Sequence, residues 1–135
     1  MDGIIGAAGN NAAGISGVNW QIKMMPLKAL NDKGEGSTLD VVKAIDYAVD
    51  NGADIINLSF VGFNNHPILA SAIRRAYENN VIIVAAAGND KEQGEGYFLE
   101  ETPMYPVCHD GSVEENMVVG VAATDAIDQK ASFSR

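Results

Sequence analysis

STLDVVKAIDYAVDNGADIINLS, residues 37–59, is the stretch whose reading decides the fold. Ser37 opens it with a hydroxyl able to cap free helix N–H groups. Asp40, three residues on, returns a bond and favours the positive end of the helix dipole. Val41, Val42, Ile45, Ala48 and Val49 then recur at the spacing of one helical face. Asn51-Gly52 ends the helix, because glycine accepts the left-handed conformation of a C-terminal cap. Ile55-Ile56-Asn57-Leu58 follows as a short, branched apolar run and reads as a strand.

Outward from this unit the same alternation continues. Upstream, Ile22 to Leu30 reads as a buried strand, with Pro26 removing one ladder donor, and residues 33–36 form a loop. Downstream, Pro67 suits the first turn of a second helix whose apolar face is Leu69, Ala72, Ile73, Ala76 and Tyr77. Val81 to Ala87 is apolar without alternation, the pattern of a strand covered on both faces. Gly88-Asn89-Asp90 breaks it, residues 91–106 read as irregular, and Met117 to Ala122 supplies one more buried strand. Strand, helix, strand, helix, strand makes two βαβ units. The expected fold is therefore α/β, a mostly parallel sheet flanked by helices, in one domain over residues 1–135.

Composition narrows the function. The chain has 135 residues, 47% of them hydrophobic, and a net charge of −9. A chain of this size can bury roughly two-thirds of its unfolded surface, and the apolar share is too high for disorder. The acidity disfavours nucleic acid and anionic membrane surfaces, both of which repel it. No apolar run approaches the roughly 20 residues that span a bilayer. A single cysteine, Cys108, excludes an intrachain disulfide framework and a cysteine-based zinc site. Met1 to Gly6 has no basic segment ahead of its short apolar run and does not read as a secretory signal.

In open parallel sheets ligands bind beyond the carboxyl ends of the strands. Three glycine-bearing loops meet that condition: Gly34-Glu35-Gly36, Ser59-Phe60-Val61-Gly62 and Gly88-Asn89-Asp90. Exposed backbone at such tips can hold an extended peptide by strand addition. Turn formation alone is the competing explanation. Phosphate binding fits poorly, since Leu39 stands where a third glycine is needed and Glu35 repels a pyrophosphate. Asn89 has a side-chain amide suited to donating to an oxyanion, which a carboxylate would repel; a plain Gly-Asn-Asp turn is the alternative. His66 and His109 build no triad by themselves, and a loop histidine is usually solvated. Ser59, Ser112, Ser132 and Ser134 are available hydroxyls outside any nucleophile elbow. Cys108 beside His109 suggests a thiol nucleophile, but adjacent residues on an extended chain point apart.

Taken together these segments resemble the middle of a subtilisin-like serine protease, a subtilase. The resemblance rests on GIIGAAGNN (3–11), MPLKAL (25–30), GSTLDVVKAIDYAVDNGADIINLS (36–59), VIIVAAAGND (81–90) and VVGVAATDAIDQKASFS (118–134), in family order. It implies a three-layer α/β catalytic domain of which this chain is the part between the catalytic histidine and serine motifs, without the triad itself. It further implies that Asn89 is the oxyanion asparagine. Gly34, Glu35 and Gly36 would form one backbone wall of the substrate groove, and Ser59, Phe60 and Val61 the other. Ala86, Ala87 and Gly88 would floor the pocket for the residue before the cleaved bond. Phe60 and Val61 depart from the family's usual leucine and small glycine, and a branched Val61 would narrow the pocket mouth. Gly9 to Ile15 resembles the family's calcium loop, with Asn11 offering a side-chain oxygen; a simple turn is the alternative, and no cofactor is required. The implied partner is a peptide or protein substrate, and the implied location is extracellular or at the cell surface. A non-catalytic peptide-binding module or pseudo-peptidase is the rival function. Open sheet edges and uncovered apolar surface would also leave the isolated chain either self-associating or only marginally stable.

Overall fold

The structure is a computed structural model that describes residues 1–89, 98–109 and 115–134. Its order is α1 (Asp2–Gly6), α2 (Thr38–Asp50), β1 (Ile55–Leu58), α3 (Pro67–Glu78), β2 (Ile82–Ala86) and β3 (Val118–Val121). The three strands form one parallel sheet in the order β1-β2-β3, with Ile55 opposite Ile82 and Val84 opposite Val119. The parallel α/β class read from the sequence is the class observed.

Helix α2 forms as its residues dictate. The Asp40 N–H donates to Ser37 Oγ at 3.1 Å, and the Ser37 hydroxyl in turn donates to Asp40 Oδ2 at 2.7 Å. Val41, Ile45 and Ala48 are buried. Asn51 caps the end, its N–H donating to the Tyr47 carbonyl. Helix α3 starts at Pro67, where the missing proline N–H costs no intrahelical bond. It buries Leu69, Ala72, Ile73 and Ala76, but Tyr77, expected on the same face, is exposed at its edge. Helices α2 and α3 pack together, and exposed ion pairs from Arg75 to Asp46 (2.8 Å) and Asp50 (3.2 Å) cross between them. Those hydrogen bonds, Asp46 first, raise the Arg75 pKa above its ordinary value.

The core lies between this helix pair and one face of the sheet. Ile56 and Leu58, Ile83 and Ala85, and Val118 point into it beside Ile45 and Ile73. Burying an isoleucine this fully contributes about 1.5–3 kcal/mol. A sheet that steps in one direction through right-handed crossovers places successive helices on the same side. The opposite face is consequently bare of α2 and α3. On it Ile55, Ile82, Val119 and Val121 are 61%, 51%, 50% and 51% exposed.

Two sequence expectations are corrected here. The runs 81–87 and 117–122 do form strands, but β2 buries alternate residues and β3 buries only Val118. Their apolar content records what they can bury, whereas the described helices cover only one face. The segment Ile22–Leu30 forms no strand. It finds no ladder partner among the described residues, and Pro26 lacks an N–H to donate. One βαβ unit, β1-α3-β2, is therefore observed rather than two. Nearer the N-terminus, α1 is closed by a return of the chain: the Val18 and Asn19 N–H groups donate to the Ile4 and Ile5 carbonyls.

Candidate functional site

All three strands run the same way, so their carboxyl ends share one edge of the sheet. Three loops gather there, each shaped by its own residues. The 31–35 turn is organised by Asn31. Its Oδ1 accepts from the Lys33 N–H at 2.9 Å and the Glu35 N–H at 3.0 Å, and its own N–H donates to the Glu35 carbonyl at 2.8 Å. This Asx-type turn fixes the backbone of Gly34, Glu35 and Gly36. Gly36 admits no side chain, since a Cβ there would overlap the Ala29 carbonyl oxygen. Among the described residues Gly36 enters no backbone hydrogen bond.

Beyond β1, the Asn57 side-chain amide donates to Ser59 Oγ at 2.8 Å. Phe60 and Val61 are half-buried and pack on the core. Gly62 and Tyr105 then exchange two backbone hydrogen bonds, 2.8 and 2.9 Å, as an antiparallel bridge. Met104, Pro106 and Val107 are buried and anchor the segment that carries Tyr105.

These walls enclose a cleft of about 310 Å³. Gly34, Glu35 and Gly36 line one side, Phe60, Val61 and Gly62 the other, and Tyr105 a third; Leu30, Val41 and Leu69 supply apolar surface and His66 a polar group. A shallower recess of about 670 Å³ lies between residues 27–31 and the outer face of α2, where Lys43 and Tyr47 are exposed. It is the space left beside a segment that does not join the sheet, and Lys28, Asn31, Glu35, Asp40 and Lys43 are among its lining residues.

Five of the expected groove residues, Gly34, Glu35, Gly36, Phe60 and Val61, thus meet around one cleft. Ser59, Ala86, Ala87, Gly88 and Asn89 are not among its lining residues. They lie at the neighbouring strand ends, Ser59 one step past the Leu58–Ala85 pair. Ala87 is buried, and its N–H donates to the Val121 carbonyl at 2.9 Å. Gly88 has φ +105°, a conformation that strains any other residue, and turns the chain to an exposed Asn89. Asn89 forms an antiparallel bridge with Ser134. Ser134, read as an available hydroxyl, is instead fully buried, its Oγ accepting from the Ala123 N–H at 2.9 Å. Asp90 and Ser112 lie outside the described residues.

Of the two histidines, one differs from expectation. His66 is the N-cap residue of α3 without a side-chain capping bond. His109, expected to be solvated, is 5% exposed, because its segment is held down by buried Met104, Pro106 and Val107. Its ring sits 4.5 Å from that of Tyr105, and Nε2 has no hydrogen-bond partner among the described residues. Burial, and secondarily the field of His66, lowers its pKa from 6.5. Cys108 packs partly on the core and makes no hydrogen bond with His109, so the arrangement of an activated thiol is absent between them. Asn11 Oδ1 accepts from the Ala13 N–H at 3.1 Å, closing a turn. Calcium takes six to eight oxygens, and the described residues form no acidic or histidine cluster that could hold a metal.

Asn31 and Tyr105 are the contributors that sequence reading passed over. The run Asn31-Asp32-Lys33-Gly34 does carry an Asx-turn signal. Tyr105 carries none, because its partner Gly62 is remote in sequence.

Fold and site together define a parallel α/β domain with a backbone-lined cleft at the carboxyl edge of its sheet. Comparison with known proteins places it. The sequence profile of the Subtilase family matches residues 1–135. Subtilisin DY of Bacillus licheniformis is 34% identical over 95% of this chain and 43% of its own length. Thermitase of Thermoactinomyces vulgaris is 33% identical over 98% of this chain and 42% of its own. The minor extracellular protease Epr of Bacillus subtilis is 36% identical over 98% of this chain and 18% of its own. The chain belongs to the subtilase family of serine proteases, and it spans less than half the length of these relatives.

Proposed function

We propose that these residues are the substrate-groove and oxyanion segment of a serine endopeptidase. An extended peptide enters the cleft as an added strand between Gly34–Gly36 and Ser59–Val61. Ala86, Ala87 and Gly88 floor the pocket for the residue before the cleaved bond. In the complete protein a serine hydroxyl attacks the peptide carbonyl while a histidine takes its proton, and the Asn89 amide with a backbone N–H receives the negative charge that develops on oxygen. The serine, histidine and aspartate come from outside these 135 residues, so the chain alone binds peptide without cleaving it.

The observation that carries this reading is the cleft itself. Two loops, whose Gly36 and Val61 enter no backbone hydrogen bond among the described residues, line one space, and the neighbouring strand end carries the exposed Asn89. Peptide and protein substrates follow from it, and location outside the cell or at its surface is in keeping with a relative named as an extracellular protease. The bare sheet face further implies that the isolated chain self-associates.

The test is Asn89→Ala in the complete protein. Subtilisin's own oxyanion donor, when removed, costs about 10²–10³ in kcat, and a loss of that order with KM unchanged is expected here. Unchanged kcat would remove Asn89 from the oxyanion site. Hydrolysis by the 135-residue chain alone, abolished by a serine-directed inhibitor, would overturn the division of labour.

A further inference from the structure

Tyr105 forms the third wall of the cleft, and its backbone bridge to Gly62 ties that wall to the β1 loop. His109 packs on Tyr105, ring to ring at 4.5 Å and tilted by 46°. The imidazole is buried, and no described group accepts from or donates to Nε2. A neutral imidazole tolerates that seat as a small aromatic ring. An imidazolium does not, since burying an unpaired charge costs several kcal/mol.

We propose that His109 is a proton-sensitive latch on the cleft: neutral, it holds Tyr105 against Gly62; protonated, it leaves its seat and frees that wall. His109 is thus a positioning residue, acting on the cleft only through Tyr105. The idea concerns the wall and stands whatever ligand the cleft takes.

The groups near His109 set where it protonates. From the N-cap of α3 comes His66, whose like charge opposes protonation, and from its own segment comes Tyr105, with Cys108 its neighbour in the chain. Asp110, next in the chain, lies outside the described residues. Burial and His66 both lower the His109 pKa from 6.5, so the wall is closed at neutral pH and opens on acidification below that value. His66 also lines the cleft.

An NMR titration from neutral to mildly acidic pH on the full chain tests this. It follows the His109 ring proton and the backbone amides of Gly62, Tyr105 and Val84. The Gly62 and Tyr105 signals should shift with the His109 midpoint, below 6.5, while Val84 in the sheet stays put. His109→Phe should keep the neutral-pH positions of both amides and lose the step. His66→Asn, which leaves His109 in place, should move the ring and wall midpoints upward together. Amides that ignore the His109 titration, a step that persists in His109→Phe, or Val84 shifting in the same step would each overturn the proposal.

Discussion

The two faces of the sheet are built from the same kinds of residue and have opposite fates. Ile56, Ile83 and Val118 face α2 and α3 and are buried; Ile55, Ile82 and Val119 alternate with them and stay half or more exposed. Hydrophobic content reports what a strand is able to bury. Which face is covered depends on where the crossovers put the helices, and here they lie on one side.

The largest effect that can break this comparison comes from neighbouring isoleucines. Ile83→Ala should cost about 2–5 kcal/mol, because it opens a cavity that its surroundings cannot close. Ile82→Ala, one residue away on the bare face, should cost only about 1 kcal/mol. Urea melts of both variants decide it; equal losses would mean that the bare face is covered in solution. Lysine tests the same face differently. The double change Ile82→Lys, Val119→Lys should leave the fold intact and abolish self-association, read by sedimentation velocity across a concentration series. A wild-type chain that stays monomeric at high concentration would contradict the exposure argument.

Smaller changes probe the helix side. Ser37→Ala removes the acceptor for the Asp40 N–H and should cost about 1 kcal/mol. Acid titration adds a linked term. His109 has its pKa lowered in the fold, so the folded state binds the proton less readily than the unfolded chain does. Stability from this group is complete above pH 6.5 and falls as the pH drops from there through the lowered folded value. His109→Phe should flatten that part of a stability–pH curve. The smallest effect belongs to Arg75→Gln. Its pairs with Asp46 and Asp50 are exposed, so the loss should be slight and should vanish at high salt.

Legibility in the sequence followed the range of the interactions. The capped helix from Ser37, its end at Asn51-Gly52, the strand Ile55–Leu58 and the Pro67 helix start are local matters, and they were readable residue by residue. The segment Ile22–Leu30 was misread because a strand exists only with a partner, and partnership is not written in the strand itself. The cleft divided along the same line. Phe60–Val61 follow from the end of β1 in a parallel sheet; Gly34–Gly36 reach the same cleft from the loop before α2, although the strand expected ahead of them does not form; and Tyr105 enters through a bridge to a glycine 43 positions earlier in the chain. His109 looked solvated because it stands in a loop beside Asp110, while the anchors that bury it act through the tertiary fold.

The central claim is that peptide adds between the 34–36 and 59–61 loops at the carboxyl edge of the sheet. Amide chemical-shift mapping of the chain, titrated with an end-blocked peptide of alternating leucine and threonine, tests it most directly. The account predicts saturable shifts at Gly34, Gly36, Phe60, Val61 and Gly62, with Ile82 and Val119 unmoved. Shifts confined to Ile55, Ile82, Val119 and Val121, or none at the two loops, would contradict it.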